Sequence, residues 1–235
     1  MHTADIEYSH DDLRLVGHLA VDDSKAGKRP AVLIAHDAGG IDELAKRSAV
    51  RLAELGYVAL ALDYYGEGKR LDPAQLGERF GPLAGDPLKI RAIGRAGLEA
   101  LLATEYADAS KVAAIGYCFG GTMALELARS GADLAGVVGF HSGLSTSRPG
   151  DAVNIKARVL VCIGAEDPII PPEQRLGFEQ EMRAGGVDWQ MNVYGGAVHS
   201  FTNPDAGTDN PALAYDEHAD EDSWRAMLQL FSEVF

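Results

Sequence analysis

The sequence predicts an α/β fold, a mostly parallel sheet of about eight strands flanked by helices. Three observations carry this expectation. Short apolar runs alternate with amphipathic helical stretches, the order produced when strands are joined by helical crossovers. The run 31–35 is continuously apolar, as a strand covered by helices on both faces requires. An apolar strand, 112–115, passes through Gly116, Tyr117, Cys118, Phe119 and Gly120 straight into a helical run, 122–129.

Taken in order, residues 13–20 alternate as a half-exposed early strand, and 31–35 follow as a buried one. A helix over 42–55 starts at Asp42, whose carboxylate suits an N-cap, and stops at Gly56, which suits the left-handed C′ position. Strand 58–62, helix 87–104, strand 112–115 and helix 122–129 come next, the last ended by Gly131. Strands 134–140 and 159–164, helix 172–184, strand 189–194 and a final helix over 220–231 complete the chain. Segments 63–86 and 195–217 read as loops rich in Gly, Pro and charge, and loops of that length are usually functional or mobile. There is no internal repeat.

At 235 residues, 46% hydrophobic and 24% charged, the chain suffices for one full core, so a single domain over 1–235 is expected. The net charge of -14 repels phosphates, so neither nucleic acid nor an anionic membrane is an expected partner; its plain consequence is solubility. No stretch approaches the roughly 18 apolar residues of a membrane helix. Residues 1–12 lack the charged and apolar regions of a signal peptide, and a cytoplasmic location is expected. The two cysteines, Cys118 and Cys162, fit a reducing compartment better than a disulfide framework. The acid-rich stretch 205–222 reads as a solvated face, its spacing matching no calcium loop.

The G-x-C-x-G turn is a nucleophile elbow with cysteine where serine is usual. A strained turn lifts the middle side chain above the sheet edge, and the following helix directs its N-terminal amides at the sulfur, favouring the reactive thiolate. Such a nucleophile needs a base, and the base an orienting acid. Asp167 follows strand 159–164, and His199 follows the strand ending at Tyr194, so the order Cys118, Asp167, His199 is that of α/β-hydrolases. The carboxyl ends of parallel strands converge on one crevice, which lets distant residues meet. Glu166 stands beside Asp167 as a competing acid. The expected oxyanion hole takes one amide from Phe119 and one from Ala38. His36 and His141, at the ends of strands 31–35 and 134–140, are placed to line the crevice or to pack behind it.

On the elbow 116–121, the acid turn Gly164, Glu166, Asp167 and the segment Ala197, Val198, His199, Ser200, Phe201, the chain resembles the dienelactone hydrolase family. The resemblance spans nearly everything from Ala31 onward. It implies an α/β-hydrolase fold without a large lid domain and a cysteine hydrolase of activated esters or lactones that needs no cofactor or metal. In that family an acidic residue after the third strand helps to activate the resting thiol; the matching position is Asp37, one methylene shorter than the usual glutamate. Members acting on dienelactones also grip the substrate carboxylate with two arginines. Arg79 aligns with the first and Asn203 takes the place of the second, which leaves Tyr64, Tyr65 and His141 to form a less charged, more aromatic pocket or to serve in packing. The resemblance extends to members active on phosphotriesters.

Other classes fit less well. No H-x-H or H-x-x-x-H pair offers a metal site. Gly66, Glu67, Gly68, Lys69, Arg70 lacks the spacing of a phosphate-binding loop and reads as a flexible rim of the crevice. A non-catalytic binding protein on the same scaffold is the remaining alternative. The expected partner is a small-molecule substrate; the oligomeric state is not legible.

Overall fold

In a computed structural model that describes residues 1–207 and 210–235, the chain forms an eight-stranded sheet in the order β1-β2-β4-β3-β5-β6-β7-β8. The strands are β1 (His2–His10), β2 (Leu13–Val21), β3 (Arg29–Ala35), β4 (Val58–Leu62), β5 (Ala107–Tyr117), β6 (Gly136–Phe140), β7 (Arg158–Gly164) and β8 (Trp189–Tyr194). The pairs β1–β2 and β2–β4 are antiparallel and all others parallel. The helices are α1 (Glu43–Glu54), α2 (Pro73–Ala84), α3 (Pro87–Leu102), α4 (Phe119–Arg129), α5 (Pro172–Gly185) and α6 (Glu217–Val234), with a 3-10 turn at Pro149–Asn154.

The sheet separates two cores, and the two-residue period of a strand assigns side chains to them. Leu33 on β3 and Val159, Val161 and Ile163 on β7 pack with Ile90, Met123, Phe178 and Met182 of α3, α4 and α5. Their neighbours Val32, Ile34, Leu160 and Cys162 face the other way, against α1 and α6. The N-cap of α1 is as expected: Asp42 accepts from the Ala45 amide, and Gly56 follows at φ 97°.

The structure differs from the sequence reading at several places. Strand β1 was not anticipated; only every second residue of it turns inward, and it joins β2 through a tight turn in which Asp11 takes φ 49°. Segment 63–86 is not an unbroken loop, since α2 starts at a capping box between Asp72 and Gln75 with Pro73 in its first turn. Gly77, Gly81 and Pro82 disguise that helix in the sequence. Strand β5 extends back to Ala107 across a register shift opposite Pro30 and Ala31, β6 begins only at Gly136, and α6 gains about a turn at its start because Asp216 caps it through the Ala219 amide. Residues 208 and 209, within the acid-rich stretch, lie outside the described residues. No helix among the described residues is long and apolar enough to cross a membrane.

Candidate active site

The C-terminal ends of β3, β5, β6, β7 and β8 all open on one edge of the sheet, and the chemistry-bearing residues gather there. Cys118 sits between β5 and α4 at φ 54°, ψ -119°, a conformation L-residues rarely adopt. Its backbone is pinned by donation to the Phe140 carbonyl and by acceptance from the Gly121 amide. The glycines beside it are sterically required: a Cβ on Gly116 would lie 2.1 Å from the Gly120 carbonyl carbon, and one on Gly120 would lie 2.1 Å from the Ala35 carbonyl oxygen. That second contact lays the segment after β3 directly across the first turn of α4.

Asp167 is buried in the turn after β7, and both of its oxygens are engaged. Oδ1 accepts the amides of Ile169 (2.8 Å) and Ile170 (3.1 Å), and Oδ2 lies 2.8 Å from His199 Nδ1. Glu166 is exposed, so Asp167 is the acid on the histidine. His199 is 2% exposed, and its backbone is fixed by Ala214, whose amide donates to the His199 carbonyl. Because a carboxylate only accepts, Nδ1 carries the proton. Nε2 has no well-aligned hydrogen bond, and the Cys118 sulfur is its neighbour. Burial lowers the affinity of this imidazole for a proton, but the hydrogen bond to Asp167, the adjacent Cys118 sulfur and the charges of both outweigh it, raising the pKa to about 9.

The amides of Ala38 and Phe119 find no acceptor among the described residues. Cys162 is a different kind of thiol: buried in β7 beside the Tyr194 hydroxyl, it is pushed up to about 12 by desolvation. Among the described residues no group of three His, Cys, Asp or Glu side chains is arranged to hold a metal ion.

A profile of the dienelactone hydrolase family matches residues 16–235. The chain belongs to the dienelactone hydrolase family. It is an ester and lactone hydrolase of α/β-hydrolase fold. A dienelactone hydrolase-like promiscuous phosphotriesterase from metagenomic libraries is 43% identical and superimposes with a TM-score of 0.95 over 100% of this chain and 98% of that one. Protein usf of Aquifex pyrophilus is 27% identical over 97% of each chain. A Yersinia pestis protein provisionally named a carboxymethylenebutenolidase is 27% identical over 93% of this chain and 84% of its own.

Several positions matched to dienelactone hydrolases stand differently here. Asp37 makes no hydrogen bond to Cys118; its Oδ1 accepts from the Gly39 amide and its Oδ2 lies 3.5 Å from the Arg70 guanidinium, which also reaches Asp42 at 3.1 Å. Arg79 donates to the Tyr65 carbonyl and lines a cavity of about 270 Å³ together with Leu13, Tyr64 and Tyr65. Asn203 lines a separate depression beside Asp42 and Arg70, so it does not form a clamp with Arg79. Tyr64 and Tyr65 offer ring surface only, since their hydroxyls are spent on backbone carbonyls of residues 36–38. His36 and His141 do not line the crevice. His36 is fully buried and stacked on Tyr64 at 3.7 Å, whereas His141 lies behind His199 with ring centroids 5.0 Å apart and Nε2 on the Thr202 hydroxyl. In both, burial first of all drives the pKa down, to about 4 for His36.

Nor is 66–70 a flexible rim. The buried Asp63 carboxylate collects the amides of Val16, Tyr65, Gly66 and Gly68, and Leu71 donates to the Gly39 carbonyl, tying this segment to the turn after β3. Arg70, absent from the sequence-based set, is thereby placed beside the turn after β3. Only tertiary structure joins it to Asp37 and Asp42.

Proposed function

We propose that the whole chain, as one domain, hydrolyses activated esters and lactones through a covalent intermediate on Cys118, with His199 as proton carrier and Asp167 as its orienting acid. The observation that carries this reading is the Cys118 thiol on its strained turn beside an imidazole whose far nitrogen is held at 2.8 Å by a buried carboxylate. His199 takes the thiol proton. The sulfur then forms a bond to the substrate carbonyl carbon while the carbonyl π pair moves to oxygen, which the amides of Ala38 and Phe119 stabilise. Collapse breaks the bond to the leaving oxygen, which receives the proton from His199, and a thioester remains.

The raised pKa of His199 supports both halves of the cycle. Two of its causes belong to Cys118, and acylation removes that negative charge. The imidazole then returns towards the neutral form and can take a proton from water, which attacks the thioester, breaks the C–S bond and releases the acid. Thiolates are good leaving groups, so turnover favours substrates whose own leaving group is stable, such as enol lactones and aryl esters.

The similarity to a promiscuous phosphotriesterase supports a second activity on aryl phosphotriesters. There the sulfur would bond to phosphorus, aryloxide would depart with the His199 proton, and the phosphoryl oxygen would occupy the same pair of amides. Acid quenching during turnover, followed by mass spectrometry of the Cys118 peptide, tests both: an aryl ester is expected to leave an added acyl mass and a triester a phosphoryl mass. Turnover without any adduct on Cys118 would refute the covalent route. The expected location remains the cytoplasm.

The pH dependence follows in sign. An ordinary thiol, with a pKa of about 8.5, is roughly 1% ionised at pH 6.5. At pH 6.5 the His199 imidazole, with its pKa raised to about 9, carries a proton and presents its positive charge to the neighbouring sulfur. Iodoacetamide is expected to alkylate the wild type at pH 6.5 at least about tenfold faster than His199→Asn, and the advantage should vanish as the pH rises through about 9. Equal rates at pH 6.5 would remove His199 from this role.

A further inference from the structure

We propose that Tyr64, with His36 beside it, is a positioning residue that sets the direction of the Ala38 amide toward the oxyanion of the reaction; this rests on the covalent reading above. Two tyrosine hydroxyls face the carbonyls of residues 36, 37 and 38, the single Tyr64 hydrogen being shared between the first two. Tyr64 Oη lies 2.5 Å from the His36 oxygen and 2.6 Å from the Asp37 oxygen, and Tyr65 Oη lies 2.9 Å from the Ala38 oxygen. The Asp37 oxygen receives a second donor, His36 Nδ1, at 2.6 Å. A carbonyl accepts only, so this nitrogen carries the hydrogen and Nε2, buried without a partner, does not.

The peptide between Asp37 and Ala38 is trans, as is every other in the described chain, so its amide points opposite to its carbonyl. With the oxygen clamped from two directions by a stacked His36–Tyr64 pair, the plane of that peptide cannot rotate, and the Ala38 N–H is turned away from the pair. The neighbouring Gly39 amide is taken by Asp37 Oδ1, while the Ala38 amide has no acceptor. The start of this loop is laid over the first turn of α4, where a Cβ at Gly120 would strike the Ala35 and His36 oxygens, and on this proposal the freed Ala38 amide lies on that side, toward the elbow. Oxyanion donors act by being oriented before the charge develops, and an unclamped peptide would have to reorient during the reaction. The Tyr64 hydroxyl, buried and far from ionising, and the His36 ring, neutral for the same reason, keep the clamp intact across the working pH range.

The test uses Tyr64→Phe, which keeps the stacked ring and deletes only the hydroxyl. Two reactions of the same sulfur are compared. Ester turnover develops an oxyanion, whereas displacement of iodide from iodoacetamide by Cys118 does not. The expected result is a kcat for an aryl ester lower by about 10- to 100-fold, approaching the ~10²-fold loss of a deleted donor, with KM little changed and alkylation at pH 6.5 within about twofold of wild type. Unchanged kcat would overturn the proposal. A parallel fall in kcat and alkylation would also overturn it, by showing general damage to the site. If Tyr64→Phe does not fold, as judged by its melting curve, the same comparison is read from His36→Phe, which keeps a flat ring and removes the Nδ1 donor. Absence of an adduct on Cys118 in the wild type would sink the covalent reading, whereas a wild-type adduct with unaltered Tyr64→Phe kinetics sinks the positioning role alone.

Discussion

Replacing Cys118 by alanine is expected to lower kcat/KM for an activated aryl ester by roughly 10⁴-fold or more, with little change in melting temperature. The size follows from losing the bond-forming atom: members of a nucleophile–base pair act as a unit, and only the residual contribution of binding and oxyanion donors survives. The stability expectation follows from position. Cys118 is partly buried, alanine removes one atom, and the unusual backbone angle is no worse for alanine than for cysteine, since both carry a Cβ. Cys118→Ser is the informative companion, because it keeps shape and replaces a polarisable thiol by a hydroxyl far less readily ionised next to His199. Retention of more than about 1% of wild-type activity by Cys118→Ala, with the same substrate, would mean that another group performs the attack.

Arg129→Met is expected to lower stability by about 3–5 kcal/mol. Arg129 is wholly buried, at 0% exposure, under the α4–α5 face. Its guanidinium makes a two-pronged pair with Glu181 of α5 at 2.7 and 2.9 Å, contacts Glu126 at 3.0 Å and donates to the Leu144 carbonyl. Glu126 is shared with Arg91 of α3 at 2.8 Å, and Arg91 reaches Asp151 in the 3-10 turn at 2.6 Å. One cluster of charges therefore ties three helices and the turn after β6 together. Methionine fills much of the volume but leaves Glu181 buried without a cation, which costs more than the pair contributes over an apolar alternative. For a chain of this size that loss corresponds to a fall in melting temperature of roughly 6–20 °C. Equal melting curves at neutral pH would show that the cluster is held only weakly.

Periodicity and punctuation in the sequence were sufficient for the parallel centre of the sheet and for α1, α3, α4 and α5, where local chemistry agrees with the tertiary outcome. Asp42 and Gly56 bound α1 as caps do in any protein. Strand β1 was hidden because an edge strand needs only one apolar face, and α2 because its glycines and internal proline weaken the helical pattern that its capping box announces. That Cys118, Asp167 and His199 would meet at one edge of the sheet was legible because each lies at a strand end in a recognisable local setting. What surrounds them was not. Tyr64 and Tyr65 read as pocket residues, yet nothing in residues 64–65 tells a hydroxyl that faces substrate from one that grips the carbonyls of residues 36–38.

The sequence by itself determined the fold class, the central parallel strands with α1, α3, α4 and α5, and the chain order Cys118, Asp167, His199 at strand ends, since these follow from side-chain period, glycine sterics and capping within a few residues of each position. Only the tertiary structure decided how those residues are held: Asp37 turned to Arg70, the Ala38 peptide clamped by Tyr64 and His36, and Arg129 enclosed by carboxylates from another helix as well as its own. Those partners lie 27 to 52 residues apart in all but the local contacts, and a hydrogen bond or ion pair over that separation exists only once the sheet and its crossovers have brought its two ends together.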